Sequence, residues 1–220
     1  MFVMLSMLLL SILFVVAVVV FSEKARKQRQ EELSTFAAKH SLEFYPTSTP
    51  EALGIYAPFP LLSKGRSRTV TNVILADTQD TTARLFDYKF TTGSGKQTAT
   101  HHFSVVYFKS DLLMLPEFSL TQEKFYHWIG KVFGMQDVNF DTHPKFSSLF
   151  LLQGADEAEI RRFFTSHRLT TLENFGHLCI EANQSRCLIY LVPQISAKDY
   201  PGWLEESYKV FSALCEKDDS

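Results

Sequence analysis

Three cysteines in 220 residues are too few to staple a disulfide scaffold, and none of them forms a C-x-x-C pair. Glycine and proline are also scarce, at 9 and 8 residues, which excludes a collagen-like or low-complexity chain. No charge dominates: the formal net charge is −2, with 21% charged against 45% hydrophobic residues, so a disordered polyelectrolyte is excluded as well. Residues 41–220 carry a net of −4 and residues 22–40 a net of +2. The bulk of the chain therefore lacks the basic surface that non-specific phosphate-polymer binding needs, and no nucleic-acid partner is expected.

What is present first is a long apolar run. From Phe2 to Phe21 there is no charged residue, and only Ser6 and Ser11 interrupt the apolar side chains. At about 1.5 Å per helical residue, this run matches the roughly 30 Å of a bilayer core. Residues 2–21 are read as a transmembrane helix. A cleaved signal peptide is the competing reading, but the basic n-region is missing, the run exceeds an h-region, and Val18 to Ser22 form no A-x-A-like site. Lys24, Arg26, Lys27 and Arg29 follow at once, and the positive-inside rule then sets the C-terminal bulk in the cytoplasm and the N-terminus outside. The expected location is the inner (cytoplasmic) membrane, single-pass.

Residues 22–40 continue in helical register as a juxtamembrane helix, with Leu33, Phe36, Ala37 and His40 as an apolar stripe for docking. Residues 41–69 hold Pro46, Pro50, Pro58 and Pro60 and read as an irregular Pro-rich connection, pinned by aromatic residues and wrapped on the domain. Residues 70–220 read as an α+β cytoplasmic domain. Its strand-like runs are Val70–Asp77, Ala83–Thr92, Thr98–Ser110 and Leu112–Leu120, with Gly93 to Lys96 as the tip of a long hairpin. A helix over Gln122–Phe133 follows, capped by Thr121 and stopped by Gly134. The second half reads as a strand Phe146–Leu152, a helix capped by Asp156 with Ile160, Phe163 and Phe164 inward, a hairpin Leu178–Ala182 and Arg186–Val192, and a closing helix from Pro201 to Cys215. Strands in runs closed by helices imply α+β: a mainly antiparallel sheet with helices packed on one side. A faint echo between Pro116–Leu120 and Pro144–Leu149 reads as coincidence rather than a repeat.

Motifs with chemical potential are few. Gly93-Ser94-Gly95-Lys96 lacks the earlier glycine and the following Ser or Thr of a phosphate loop and precedes a strand, so it reads as a turn. His101 and His102 are adjacent on a strand and point to opposite faces. Asp137, Asp141 and His143 lack the converging ligand set of a zinc site, and no metal or cofactor is expected. Cys179 and His177 lack a visible orienting third residue. Asp156 and Glu157 read as helix N-terminal charges, and Arg161, Arg162 and Arg168 as a solvated face with snorkelling stems. A three-residue loop at Ala182–Gln184 would set Cys179 opposite Cys187, whereas a two-residue loop at Asn183–Gln184 would turn them to opposite faces. All three thiols are expected to be free in a reducing compartment.

The segment Phe86-Asp87-Tyr88-Lys89-Phe90-Thr91-Thr92-Gly93-Ser94-Gly95-Lys96, with Pro116-Glu117-Phe118, Gly154-Ala155-Asp156-Glu157 and Ile160-Arg161 further on, resembles a set of uncharacterised bacterial single-pass membrane-anchored proteins that share an FDYxxTTGSGK-type hairpin and have no known activity. The likeness spans most of residues 33–190. It implies a bacterial origin and the same topology, and supplies no catalytic residue. Those proteins tend to place more Arg after the Gly-rich tip, where this chain has Gln97, Thr98 and Ala99, which argues against an anion clamp there.

Three functions remain. One is a membrane-tethered binding or scaffolding domain for a protein partner, through a sheet edge or the aromatic connection. The second is an anionic-lipid surface domain, with Lys24, Arg26, Lys27, Arg29, Lys64, Arg66 and Arg68 as the lipid-facing residues. The third is an enzyme whose site, around His101, Asp87 or Asp141, assembles only in three dimensions.

Overall fold

The computed structural model describes residues 2–55, 59–123 and 134–216, with the side chains of residues 2–12 and 15 outside the description. The chain is α+β, built on one nine-stranded sheet whose pairings are all antiparallel. A single helix α1 runs from Phe2 to Lys39, and β1 (Glu43–Ser48) turns back beside it. A four-residue helix α2 (Pro60–Ser63) precedes β2 (Arg66–Asp77), β3 (Thr81–Thr92), β4 (Ala99–Ser110) and β5 (Leu115–Gln122). After β6 (Gln136–Asp137) come α3 (Pro144–Leu149), β7 (Phe150–Gly154), α4 (Glu157–Phe163) and α5 (Ser166–Glu173). The hairpin β8 (Cys179–Gln184) and β9 (Arg186–Leu191) and the closing helix α6 (Tyr200–Cys215) complete it. The strand order is β1-β2-β3-β4-β9-β8-β5-β7-β6.

Both faces of this sheet carry a buried core, because side chains alternate along central strands that are apolar on each side. One face, with Leu85, Val106, Phe118 and Ile189, packs against α3 to α6 and against Leu33 and Ala37 of α1, both fully buried. The other is aromatic: Phe86, Tyr88 and Phe90 of β3 meet Phe103 and Tyr107 of β4 and Tyr190 of β9, and Phe90 stacks on Phe103 at 5.3 Å. Leu53, Ile55, Phe59 and Leu61, from the β1–β2 connection, close this second core. Within 41–69 the chain is less irregular than its prolines imply, since β1, α2 and the first residues of β2 all lie there.

Several elements depart from the sequence reading. Pro144 takes the first turn of α3, where a missing N–H costs nothing, so the strand expected from Phe146 begins only at Phe150. The echo with Pro116 is therefore between a strand and a helix. Thr121 lies inside β5, paired with Leu151, and does not cap a helix; residues 124–133 of the expected helix lie outside the described residues. Asp156 does cap α4, its Oδ1 accepting from the N–H of Ala158 at 2.8 Å and of Glu159 at 3.1 Å. The β8–β9 hairpin uses neither expected register: Asn183 pairs with Arg186 around Gln184, whose φ of 55° suits a tight hairpin turn. Cys179 then faces Tyr190 and Cys187 faces Ala182, in different cores, and no two cysteines are bridged.

α1 carries the expected span 2–21 as helix. Its described apolar side chains are exposed all round, from Leu13 (58%) to Phe21 (75%). Among the described residues, no helix is long and apolar enough to cross a membrane; the side chains of 2–12 and 15 in the expected span are outside them.

Candidate functional site

The α1-facing side of β2, β3 and β4 changes character along the strands. Around Leu85 and Val106 it is apolar and packs under the C-terminal half of α1. Two residues further, β3 places Asp87 on that face, paired across to Thr71 and Ser104, and the next rung is Thr69, Lys89 and His102. Alternation keeps the opposite side chains, Tyr88 and Phe90, in the aromatic core. One strand thus serves an apolar core behind and a polar wall in front.

Arg29 closes on this wall. Its Nε and Nη2 donate to the two Asp87 oxygens, each at 2.7 Å, and its Nη1 donates to Ile195 O at 2.6 Å. Asn72, set by a bulge in β2 with φ of 53°, donates to Asp87 at 2.7 Å. Asp87 is 3% exposed, so this bidentate pair is held where water screens it little. It fixes both the rotation and the height of α1 on the sheet.

Above the ion pair, α1 stands off the sheet and leaves a cleft of about 470 Å³. Glu23, Arg26 and Arg29 line its helix wall, and Lys89, His102 and Gln194 the opposite side. Glu23 and Arg26 pair with one another on the helix surface at 2.7 Å. The His102 ring is held below the usual histidine pKa, first by partial burial and then by Lys89.

The seven residues expected at a lipid surface separate into groups. Lys24, Arg26 and Lys27 are exposed on the turns that follow the apolar run, and Arg66 and Arg68 are exposed at the start of β2. Arg66 donates to Gly93 O, and Arg68 to Leu62 O and Ser63 O. Arg29 departs from the expectation, because its guanidinium is turned inward onto Asp87. Lys64 is half-buried towards Glu181, and burial lowers its pKa.

The groups considered for chemistry do not converge. His101 faces the aromatic core, with Nε2 2.8 Å from Thr92 Oγ1, while Asp87 lies on the opposite face and Asp141 is exposed in a distant loop. His177 pairs with Glu206 at 2.7 Å, and Cys179 is buried. Among the described residues, no three or more His, Cys, Asp or Glu side chains cluster as metal ligands. Arg168 is no snorkelling surface residue: at 4% exposure it donates to Phe163 O at 2.6 Å and to Ala213 O at 3.3 Å, and lies over the Phe163 ring.

Sequence reasoning missed Glu181. Its carboxylate, 1% exposed, accepts the Leu61 N–H at 3.0 and 3.1 Å and the Tyr190 hydroxyl at 3.2 Å. Burial raises its pKa to about 7, against these hydrogen bonds and Lys64. The available signal was a lone acidic residue in the strand Cys179-Ile180-Glu181-Ala182, where both faces are apolar.

No family model and no curated protein matches the chain. Among solved structures it is similar to the mycobacterial trehalose monomycolate transport factor A, TtfA, with a TM-score of 0.62 and 10% identity, over 84% of this chain and 94% of that one. At that identity the likeness is one of fold.

Proposed function

We propose that this chain is a membrane-tethered cytoplasmic domain that binds or scaffolds a protein partner. The observation that carries the reading is the continuity of α1: one helix passes from exposed apolar turns at Leu13 to Phe21 into a core docked by Leu33 and Ala37 and locked by Arg29 on Asp87. An all-round apolar helix segment belongs in a bilayer or an interface, and here it joins its domain with no linker between. Such a joint orients a domain, as scaffolding requires. The basic residues Lys24, Arg26 and Lys27 support the inner-membrane orientation, and the mycobacterial neighbour and the FDYxxTTGSGK-type hairpin support a bacterial setting. That the neighbour is named as a transport factor agrees with an accessory binding function. Cross-linking in intact membranes, followed by purification in detergent, tests this: a protein partner recovered in stoichiometric amount is expected, and recovery of the chain alone contradicts it.

One observation favours a second reading, an anionic-lipid surface domain. β3 runs towards the N-terminal end of α1, and from Asp87 to Thr92 it advances about 17 Å, whereas α1 rises only about 10 Å from Arg29 to Ser22. Arg66 and Arg68 of β2, the first paired with Thr91, and Lys96 of the β3–β4 hairpin tip therefore lie on the side of the domain towards which the apolar run leads. Neutralising Lys64, Arg66 and Arg68 together in a fragment beginning at Glu23 is expected to weaken its binding to anionic vesicles, by on the order of 1 kcal/mol for each exposed cation. Equal binding before and after removes this reading.

A further inference from the structure

We propose that the cleft between α1 and the β2–β4 wall binds a phosphate-bearing anionic group, the headgroup of a membrane lipid or a free phosphate, with the Lys89 ammonium as its counter-ion. The choice of a lipid source rests on the membrane-tethered reading; the cleft itself does not. The first argument is charge. Glu23 and Arg26 neutralise one another at the rim, and Arg29 and Asp87 do so at the floor. Lys89 is left over: it is half-buried on the wall and makes no ion pair among the described residues. The carboxylates that share the cleft, Glu23 and Asp87, are already paired with arginines, so a half-buried lysine beside them favours an anion that enters from outside.

The second argument is the kind of contact on offer. Thr69, Lys89 and His102 are side by side on one rung of three strands. They offer a hydroxyl, an ammonium and an imidazole to the same cleft, a donor set suited to phosphate oxygens. His102 feels the charges of Lys89, Asp87 and Arg29 and of His101 across the sheet, and an anion set between it and Lys89 would favour its protonated form. The third argument is size and place. About 470 Å³ lies within the usual range of small-ligand sites, roughly 300–1,000 Å³. Ser22 and Glu23, immediately after the apolar run, are part of the cleft's lining. A lipid whose chains lie along that run would bring its phosphate to the cleft without leaving the bilayer.

The test uses the full chain in two arms. In the first, it is placed in nanodiscs of phosphatidylcholine and phosphatidylglycerol, and native mass spectrometry after release counts the lipid retained. Wild type is expected to keep one phosphatidylglycerol, Lys89→Gln to keep about tenfold less, and Lys109→Gln, on the same sheet but outside the cleft, to match wild type. In the second, inorganic phosphate is titrated onto the chain in detergent while the His102 ring is followed by NMR; a saturable shift that Lys89→Gln removes is expected. Retention of phosphatidylglycerol assigns the site to lipid, and a phosphate response without it assigns the site to free phosphate. Retention and titration both unchanged by Lys89→Gln, or absent in both arms, overturn the proposal. A chain that never enters nanodiscs contradicts the tethered reading instead, and the phosphate arm still decides the cleft.

Discussion

Asp87 and Glu181 are both almost fully buried, and their partners set them apart: Asp87 meets a guanidinium with two parallel hydrogen bonds, whereas Glu181 receives an N–H and a hydroxyl and has only half-buried Lys64 as a nearby cation. Breaking the first pair strands Arg29, so Asp87→Asn is expected to cost about 3 kcal/mol in denaturant unfolding; a loss below the error of the measurement would mean that the pair does not hold α1. Glu181 behaves in the opposite sense. Its folded pKa of about 7 lies above the ordinary 4.5, so the neutral form is favoured by folding. Its contribution to stability is fully present below pH 4.5 and is lost as the pH rises through about 7. Glu181→Gln, which keeps an acceptor for the Leu61 N–H, should match wild type near pH 4.5 and be the more stable protein at pH 8.5, by on the order of 3 kcal/mol. A variant less stable than wild type at pH 8.5 would show that the ionised carboxylate is stabilising where it lies.

Among the elements, α1 makes the sharpest prediction, because its turns divide between exposed apolar surface and buried contact. Among the described residues, none of 1–22 belongs to either core, so the remaining chain should unfold in one cooperative thermal transition. Removing residues 1–40 also deletes Leu33 and Ala37 and leaves Asp87 buried without its guanidinium; it should lose several kcal/mol or fail to fold. Two fragments of equal stability would contradict the docking. Periodicity made this helix legible, as it did β3, β4 and α6, because apolar side chains at spacings of two or near four declare a buried face. The Asp156 cap was legible for the same local reason. Pairing choices were not: the β8–β9 register depends on Gln184 accepting a positive φ, and the short α3 depends on Pro144 winning over the β propensity of Phe146. The site was half legible. Its basic residues could be picked out by their place after the apolar run, but that Arg29 turns inward while Lys89 is left uncompensated depends on a helix and two strands brought together at residues 29, 72 and 87.

For the molecule as a whole, one sheet buries an aromatic core on one side and a helix-covered core on the other, and α1 ties that body to the apolar run. The cysteines do not report the compartment. Cys179 and Cys187 lie in different cores of the hairpin, so an absent disulfide between them is expected on either side of a membrane. Orientation needs an exposed reporter, and Lys109 on β4 supplies one, since its side chain points to solvent. In a full-length Lys109→Cys chain with Cys215→Ser, a membrane-impermeant maleimide is added to spheroplasts before and after the inner membrane is opened. Labelling of residue 109 is expected only once the membrane is opened; equal labelling of intact spheroplasts would contradict a domain held on the cytoplasmic face.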